Sequence, residues 1–151
     1  MAQPSDITAL EPLFQALYAH ETPNAATPDA GTCARHIQRL LDDQTPHDMI
    51  IAWGTDRRAL GLAAIARVTS ISDPRSDHWT QIDLKELFVL PGARGQNIGR
   101  ALMEWVQSYA KQHGACRIDW HVKSDNADGI RFYERFGAKI LDGRLSMRKT
   151  L

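Results

Sequence analysis

Arg94-Gly95-Gln96-Asn97-Ile98-Gly99-Arg100 lies between an apolar strand pattern and a helical one. The first N–H groups of a helix have no internal partners and sit at the positive end of its dipole. A loop that curls there offers several of them to a single anion. Gly95 and Gly99 permit the curl and a close approach, and Arg94 and Arg100 add positive charge. Neither a Gly-Lys-Ser/Thr continuation nor Gly-x-Gly-x-x-Gly spacing is present, which excludes a P-loop and a dinucleotide fingerprint. Downstream, Asn126, Ile130 and Tyr133 are spaced i, i+4, i+7, so an amide and a phenol share one helix face. Their separation is roughly 10 Å along the helix axis. Tyr133 by itself is either a packed aromatic or a proton donor. A phenol (about 10) can give a proton to a leaving group of similar pKa.

Glu86 is the third such feature. It interrupts the face formed by Ile82, Leu84, Phe88 and Leu90. A carboxylate there is desolvated and its pKa raised, which suits a base; an ion pair to a neighbouring strand is the alternative. His20 and His121 are further candidates. Cys33 and Cys116 show no metal-ligand spacing, and Cys116, in an alternating strand pattern, is expected to be a small buried thiol. No Cys-His or Ser-His-Asp pattern supplies an enzyme nucleophile.

These residues must be positioned by the elements around them. Ser5-Asp6 can cap a first helix reaching about His20, with Leu10, Leu13, Phe14, Leu17 and Tyr18 as its apolar stripe. Pro12 should kink this helix or shift its start. Residues 21–31 read as a loop long enough to wall a site. A second helix is expected over Thr32 to Asp43, then a hairpin from Met49–Trp53 and Ala59–Ile71 around a turn at 55–58. Gln81–Leu90 is a strand. Ile98, Leu102, Trp105 and Tyr109 repeat at helical spacing up to Gly114. Cys116–Val122 alternates as a half-buried strand, Ser124-Asp125-Asn126 caps a helix through Phe136, and Ala138–Leu141 and Leu145–Thr150 are closing strands. The order predicts a mixed α/β sheet with helices packed on its faces.

Bulk properties narrow the classes. A chain of 151 residues is expected to form one domain, 1–151, with a core that needs no metal or disulfide staple. Eighteen basic residues balance 18 acidic ones, so no overall field recruits nucleic acid or an anionic membrane. No apolar run has the length of a membrane span and Met1-Ala2-Gln3-Pro4-Ser5-Asp6 lacks a secretory signal, so a cytoplasmic address is expected.

Glu86-Leu87-Phe88-Val89-Leu90-Pro91 followed by Arg94-Gly95-Gln96-Asn97-Ile98-Gly99-Arg100 resembles the acetyl-CoA motif of the GNAT superfamily of N-acetyltransferases, Gln/Arg-x-x-Gly-x-Gly/Ala. Asn97 replaces the middle glycine, and Asn tolerates left-handed backbone better than most other residues. Asn126-Ala127-Asp128-Gly129-Ile130-Arg131-Phe132-Tyr133, running on to Gly137-Ala138, is similar to the family's Asn-x-x-(Ala/Gly)-x-x-Phe-Tyr-x-x-x-Gly-Ala segment. Together the motifs cover about Ile82 to Ile140. The Trp120-x-Val122…Asn126 pattern looks like the spermidine/spermine acetyltransferases and a bacterial, histone-acetyltransferase-like branch.

The resemblance implies a GNAT fold: a mixed, mostly antiparallel sheet, helices on both faces, and splayed central strands. It implies acetyl-CoA as co-substrate and no metal. The pyrophosphate would lie on residues 94–100 and the pantetheine arm along Leu87, Phe88 and Val89 like an added strand, with the Asn126 amide holding it. One N–H of that strand could polarise the acetyl carbonyl. Tyr133 becomes the general acid for the CoA thiolate, Glu86 the base for the amine, and transfer is direct within a ternary complex. The N-terminal region would wall the acceptor cleft, where Tyr18, His20 and Glu21, with Asp29, Asp42 and Asp43, can meet a cationic amine. The expected acceptor is a small-molecule amine such as a polyamine, amino acid or aminated antibiotic. Alternatives are a protein lysine or N-terminus, a non-catalytic acyl-CoA-binding module, and a nucleotide-phosphate binder using the same loop. The last strand, 145–150, could pair across a homodimer. The family's usual first strand is not evident.

Overall fold

The computed structural model describes residues 1–42, 45–75, 79–143 and 146–150, which divide into two compact units, Met1–Trp120 and His121–Leu151. In the first unit two helices, α1 (Ile7–Glu21) and α2 (Ala30–Leu40), precede the strands β1 (His47–Trp53), β2 (Ala59–Thr69) and β3 (Thr80–Val89). Helix α3 (Ile98–Gln112) and the two-residue strand β4 (Ile118–Asp119) follow. The sheet order is β1-β2-β3-β4, antiparallel at the first two interfaces and parallel at the last. This is the mixed, mostly antiparallel sheet expected from the sequence.

Helix α1 runs through Pro12 without stopping, and Pro12 lies on its exposed side. Helix α2 begins two residues earlier than expected because Asp29 caps it. The Asp29 carboxylate accepts from the Thr32 N–H at 2.8 Å and from the Thr32 hydroxyl at 3.0 Å. Those hydrogen bonds hold its pKa below the usual carboxylate value. Asp43 lies outside the described residues.

Leu10, Leu13, Ile37 and Leu62 are fully buried together with Met49, Ile51 and Phe88, which binds α1 and α2 to one face of the sheet. Truncating any one such residue to Ala typically costs about 2–5 kcal/mol. On the other face α3 buries Leu102, Met103, Val106 and Ala110. That stripe is offset from the expected Ile98-Leu102-Trp105-Tyr109 line. Trp105 and Tyr109 instead flank it, half-buried; Trp105 stacks on Tyr109, and Tyr109 in turn on His113.

Tyr109 ties α3 to β1, its hydroxyl donating to Asp48 Oδ2. Burial, reinforced by that hydrogen bond and the Asp48 charge, pushes the Tyr109 phenol up to about 12. A raised folded-state pKa adds stability that is complete below the unfolded value, about 10, and disappears as pH rises through about 12. Tyr109→Phe should therefore cost about 1–3 kcal/mol at neutral pH. Urea unfolding between pH 10 and 12 should steepen the stability loss in the wild type relative to the variant. Parallel profiles would mean that the Asp48 contact contributes nothing.

Two sequence expectations fail here. The strand expected over Cys116–Val122 contracts to Ile118–Asp119, opposite Ile82 and Asp83, with backbone bonds from the Cys116 N–H to Thr80 O and from the Ile82 N–H to Arg117 O leading into it. Cys116 falls outside it and is exposed rather than buried. Ahead of α1 the Ala2 N–H bonds Met49 O at 2.8 Å, a single rung where a first strand would pair.

In the second unit, helix α4 (Ala127–Glu134) is capped by Asn126. Residues 138–141 form no strand, nor do residues 146–150; Leu145 lies outside the described residues. Alternation of apolar and polar residues, the only sequence signal for these segments, does not suffice without a neighbour to pair. Among the described residues, no helix is long and apolar enough to cross a membrane.

Candidate active site

The register between β2 and β3 decides where Glu86 points. Ala64 opposes Glu86, but the next residue, Ile65, opposes Leu84, which leaves Lys85 as an extra, bulged residue. A bulge reverses the alternation of side chains along its strand. Ile82 and Leu84 therefore face α3, whereas Glu86 and Phe88 face α1 and α2. The single five-residue face expected over 82–90 is split at Lys85. The Lys85 ammonium turns to Asp83 Oδ2 at 3.0 Å.

Glu86 is half-buried, and its Oε1 accepts from the Leu87 N–H at 3.2 Å. It helps to line a cavity of about 180 Å³ with Phe14 and Leu17 of α1, Leu40 of α2, Met49 of β1, and Leu62 and Ala64 of β2; His47 and Lys85 complete it. The wall is therefore mainly apolar, contributed by both helices and three strands. Sequence reasoning found Glu86 but missed His47 and the cavity, because both depend on the bulge and on the seating of α1 and α2.

Leu87, Phe88 and Val89 pair with Ala63, Leu62 and Gly61 of β2. A Cβ at Gly61 would stand 2.7 Å from Phe88 O, so only glycine permits this close pairing. On the other edge, β4 pairs no further than Asp83, and β3 continues to Val89 with no β4 rung among the described residues. Pairing between the central strands thus stops at Asp83, and the edge at 87–89 is where an extended ligand arm could add like a strand.

After β3, a short turn at Pro91–Ala93 leads into the loop. Gly95 has φ +78° and Asn97 has φ 60° and ψ 10°, the left-handed conformation expected at the position where the family has glycine. Asn97 is the N-cap of α3 but makes no side-chain cap bond. Its carbonyl accepts the first helical hydrogen bond, from the Ala101 N–H at 2.9 Å. The N–H groups of Ile98, Gly99 and Arg100 lie ahead of that bond, with no helical carbonyl in reach. This is a fit for an anionic phosphate. Arg94 Nε donates to Val89 O at 3.2 Å, tying loop to strand, and Gln96 Nε2 reaches Gly92 O at 3.3 Å. Arg100 Nε pairs with Glu104 Oε1 at 2.8 Å.

Of the other predicted acceptor residues, Tyr18 is half-buried in the last turn of α1, where its carbonyl accepts from the Thr22 N–H and hydroxyl. Glu21 ends α1, exposed, with His20 Nε2 at 4.0 Å from its Oε1. The His20 ring stands 5.7 Å from that of Phe88, so α1 brings this histidine to the β3 strand end. Asp42 is exposed beyond α2, and its carbonyl accepts from Thr45.

In the second unit, Asn126 Oδ1 accepts from the Gly129 N–H at 2.9 Å, so this oxygen is committed to the α4 cap. A Cβ at Gly129 would come within 2.6 Å of Asn126 Nδ2, which explains the glycine. Tyr133 is half-buried and packs edge-on against Phe132, ring centroids 5.2 Å apart. His121, also in this unit, is exposed.

The sequence pattern of the Acetyltransferase (GNAT) family matches residues 12–138. An uncharacterised N-acetyltransferase of Mycobacterium bovis is 31% identical over 112 residues, 74% of this chain and 65% of that protein. Streptothricin acetyltransferase of Streptomyces lavendulae is 32% identical over 88 residues, 58% of this chain and 42% of that protein. The chain thus spans less than two thirds of either relative. An integron cassette protein from Vibrio cholerae superposes with TM-score 0.87 at 23% identity, covering 99% of this chain and 89% of that one. An aminoglycoside acetyltransferase from an uncultured soil sample superposes with TM-score 0.77 at 16% identity, covering 99% and 93%.

Proposed function

This chain belongs to the GNAT family of acetyltransferases, and we propose that it moves the acetyl group of acetyl-CoA to the primary amine of a small molecule by direct attack in a ternary complex. The observation that carries this reading is the bulge at Lys85. It turns Glu86 into an apolar cavity beside the same strand segment, 87–89, whose outer edge carries no β4 rung among the described residues.

Bound acetyl-CoA supplies a thioester, whose acyl carbon takes the amine nitrogen as the C–S bond breaks. The N–H groups at Ile98, Gly99 and Arg100, with Arg94, hold the pyrophosphate. Gly95, Gln96 and Asn97 shape the curl. The 87–89 edge aligns the arm, one of its N–H groups donating to the acetyl carbonyl. Asn126 steadies the arm through its amide nitrogen, its oxygen being engaged in the cap. Glu86 removes the ammonium proton, since only the free amine is nucleophilic, and Tyr133 gives a proton to the departing sulfur.

A small acceptor is favoured over a protein lysine by the cavity, which two helices close off from one side. The names of relatives agree in kind: they include a streptothricin acetyltransferase and an aminoalkylphosphonate N-acetyltransferase of Salmonella typhimurium, the latter 40% identical over 57 residues. The test is thiol release from acetyl-CoA across primary amines and lysine peptides. Turnover with small amines at least tenfold above peptides is expected. Peptides as the better substrates would replace this reading by protein acetylation, and acetyl-CoA binding without turnover on any amine would replace it by a non-catalytic module.

A further inference from the structure

The cavity carries more than a base. Met49, Ala64 and Glu86 stand side by side in one row across β1, β2 and β3, and His47 lies two residues along β1 on the same face. Strand spacing and rise place the backbones of His47 and Glu86 about 12 Å apart, with both side chains reaching inward. Between them the wall is Phe14, Leu17, Leu40, Met49, Leu62 and Ala64. At the far end, His47 Nδ1 is buried and, among the described residues, has no hydrogen-bond partner. A buried polar atom left in that state is costly, and a ligand group is one means of satisfying it.

From this arrangement we infer that the acceptor is a compact monoamine with an apolar, ring-sized body and a terminal hydroxyl: the ammonium meets Glu86, and the hydroxyl meets His47. The inference rests on the N-acetyltransferase reading above and names the substrate class within it. Size favours a small apolar body, because the cleft, partly open to solvent, offers about 180 Å³, near the roughly 150 Å³ that accommodates benzene in an engineered protein. Charge limits the amine count. One carboxylate answers one ammonium, and a second ammonium placed against Leu17, Leu40 and Leu62 would be desolvated without a partner. A hydroxyl suits His47 because it can either donate or accept, whichever tautomer the ring adopts. Polyamines and aminoglycosides, rich in cations, are disfavoured on the same grounds.

The experiment is calorimetric titration of the full chain, saturated with CoA, using tyramine, phenethylamine, spermidine and kanamycin, with thiol release from acetyl-CoA measured separately. Tyramine should bind tightest, and phenethylamine, which lacks only the hydroxyl, about 3- to 10-fold more weakly, the value of one hydrogen bond. His47→Phe should abolish the difference between these two amines. Tighter binding of spermidine or kanamycin, equal binding of the two aryl amines by the wild type, or no amine binding would each overturn the inference. Turnover of spermidine or kanamycin in preference to aryl amines would overturn it while leaving amine acetylation intact. The predicted binding order without thiol release would uphold the ligand class and remove the transfer reading.

Discussion

Tyr133→Phe lowers kcat about 30- to 100-fold at pH 7 while acetyl-CoA affinity stays within about twofold, if Tyr133 protonates the departing sulfur. The size follows from the leaving group. A thiol of pKa about 8.5 expelled as thiolate at pH 7 forgoes about 1.5 pKa units, roughly 2 kcal/mol or 30-fold. That places the effect at the low end of what a general acid contributes, about 10² or somewhat less. The deficit should narrow as pH rises past about 8.5, where the thiolate no longer needs a proton. Phe keeps the ring that packs edge-on against Phe132, so the fold of α4 is not at issue. Unchanged kcat would remove Tyr133 as the acid. A large loss of acetyl-CoA affinity would make it a packing residue instead.

Glu86→Gln is expected to lower kcat/KM about 10²- to 10³-fold at pH 7. An alkylammonium of pKa about 10 is only about 0.1% free amine at that pH, so losing the base leaves that small fraction to react. Gln preserves size and can still accept the Leu87 N–H, which isolates proton removal from shape. The pH profile separates the roles. Without a base the rate should climb about tenfold per pH unit toward 10, following free amine in solution. The wild type should be flatter. Parallel profiles would show that Glu86 is not the base, and a rise in KM alone would leave it a cation-binding residue.

These residues were not equally legible beforehand. The loop at 94–100 could be read because its chemistry is local: glycines, an αL-tolerant Asn and a helix start all act within one turn. Asn97 adopts φ 60°, as expected of a residue replacing glycine there. The order of helices and strands was legible for the same reason, since apolar periodicity over ten or more residues reports the packed face. The direction of Glu86 was not. A bulge is one extra residue whose position depends on the partner strand, and nothing in Leu84-Lys85-Glu86 marks it. The same cause hid the cavity and His47. Cys116 failed differently: its N–H does bond Thr80 O, where pairing with β3 begins, but its side chain stands exposed there, which alternation alone does not reveal. Asn126 shows a residue with two possible uses: its oxygen caps α4, which leaves only the amide nitrogen for a ligand arm.

Whether the α3 N-terminus and its loop hold the pyrophosphate of acetyl-CoA is decided by titration of acetyl-CoA into wild type and Gly99→Val. Gly99 is the second residue of α3, where valine is at least as good a helix former as glycine, so weakened binding would not reflect unfolding. Saturable one-to-one binding by the wild type, undisturbed by ATP, is expected. The variant should bind at least about tenfold more weakly, since a branched side chain would block approach to the first-turn N–H groups. An equal Kd for the two proteins, or displacement of acetyl-CoA by ATP, would contradict this role of the loop.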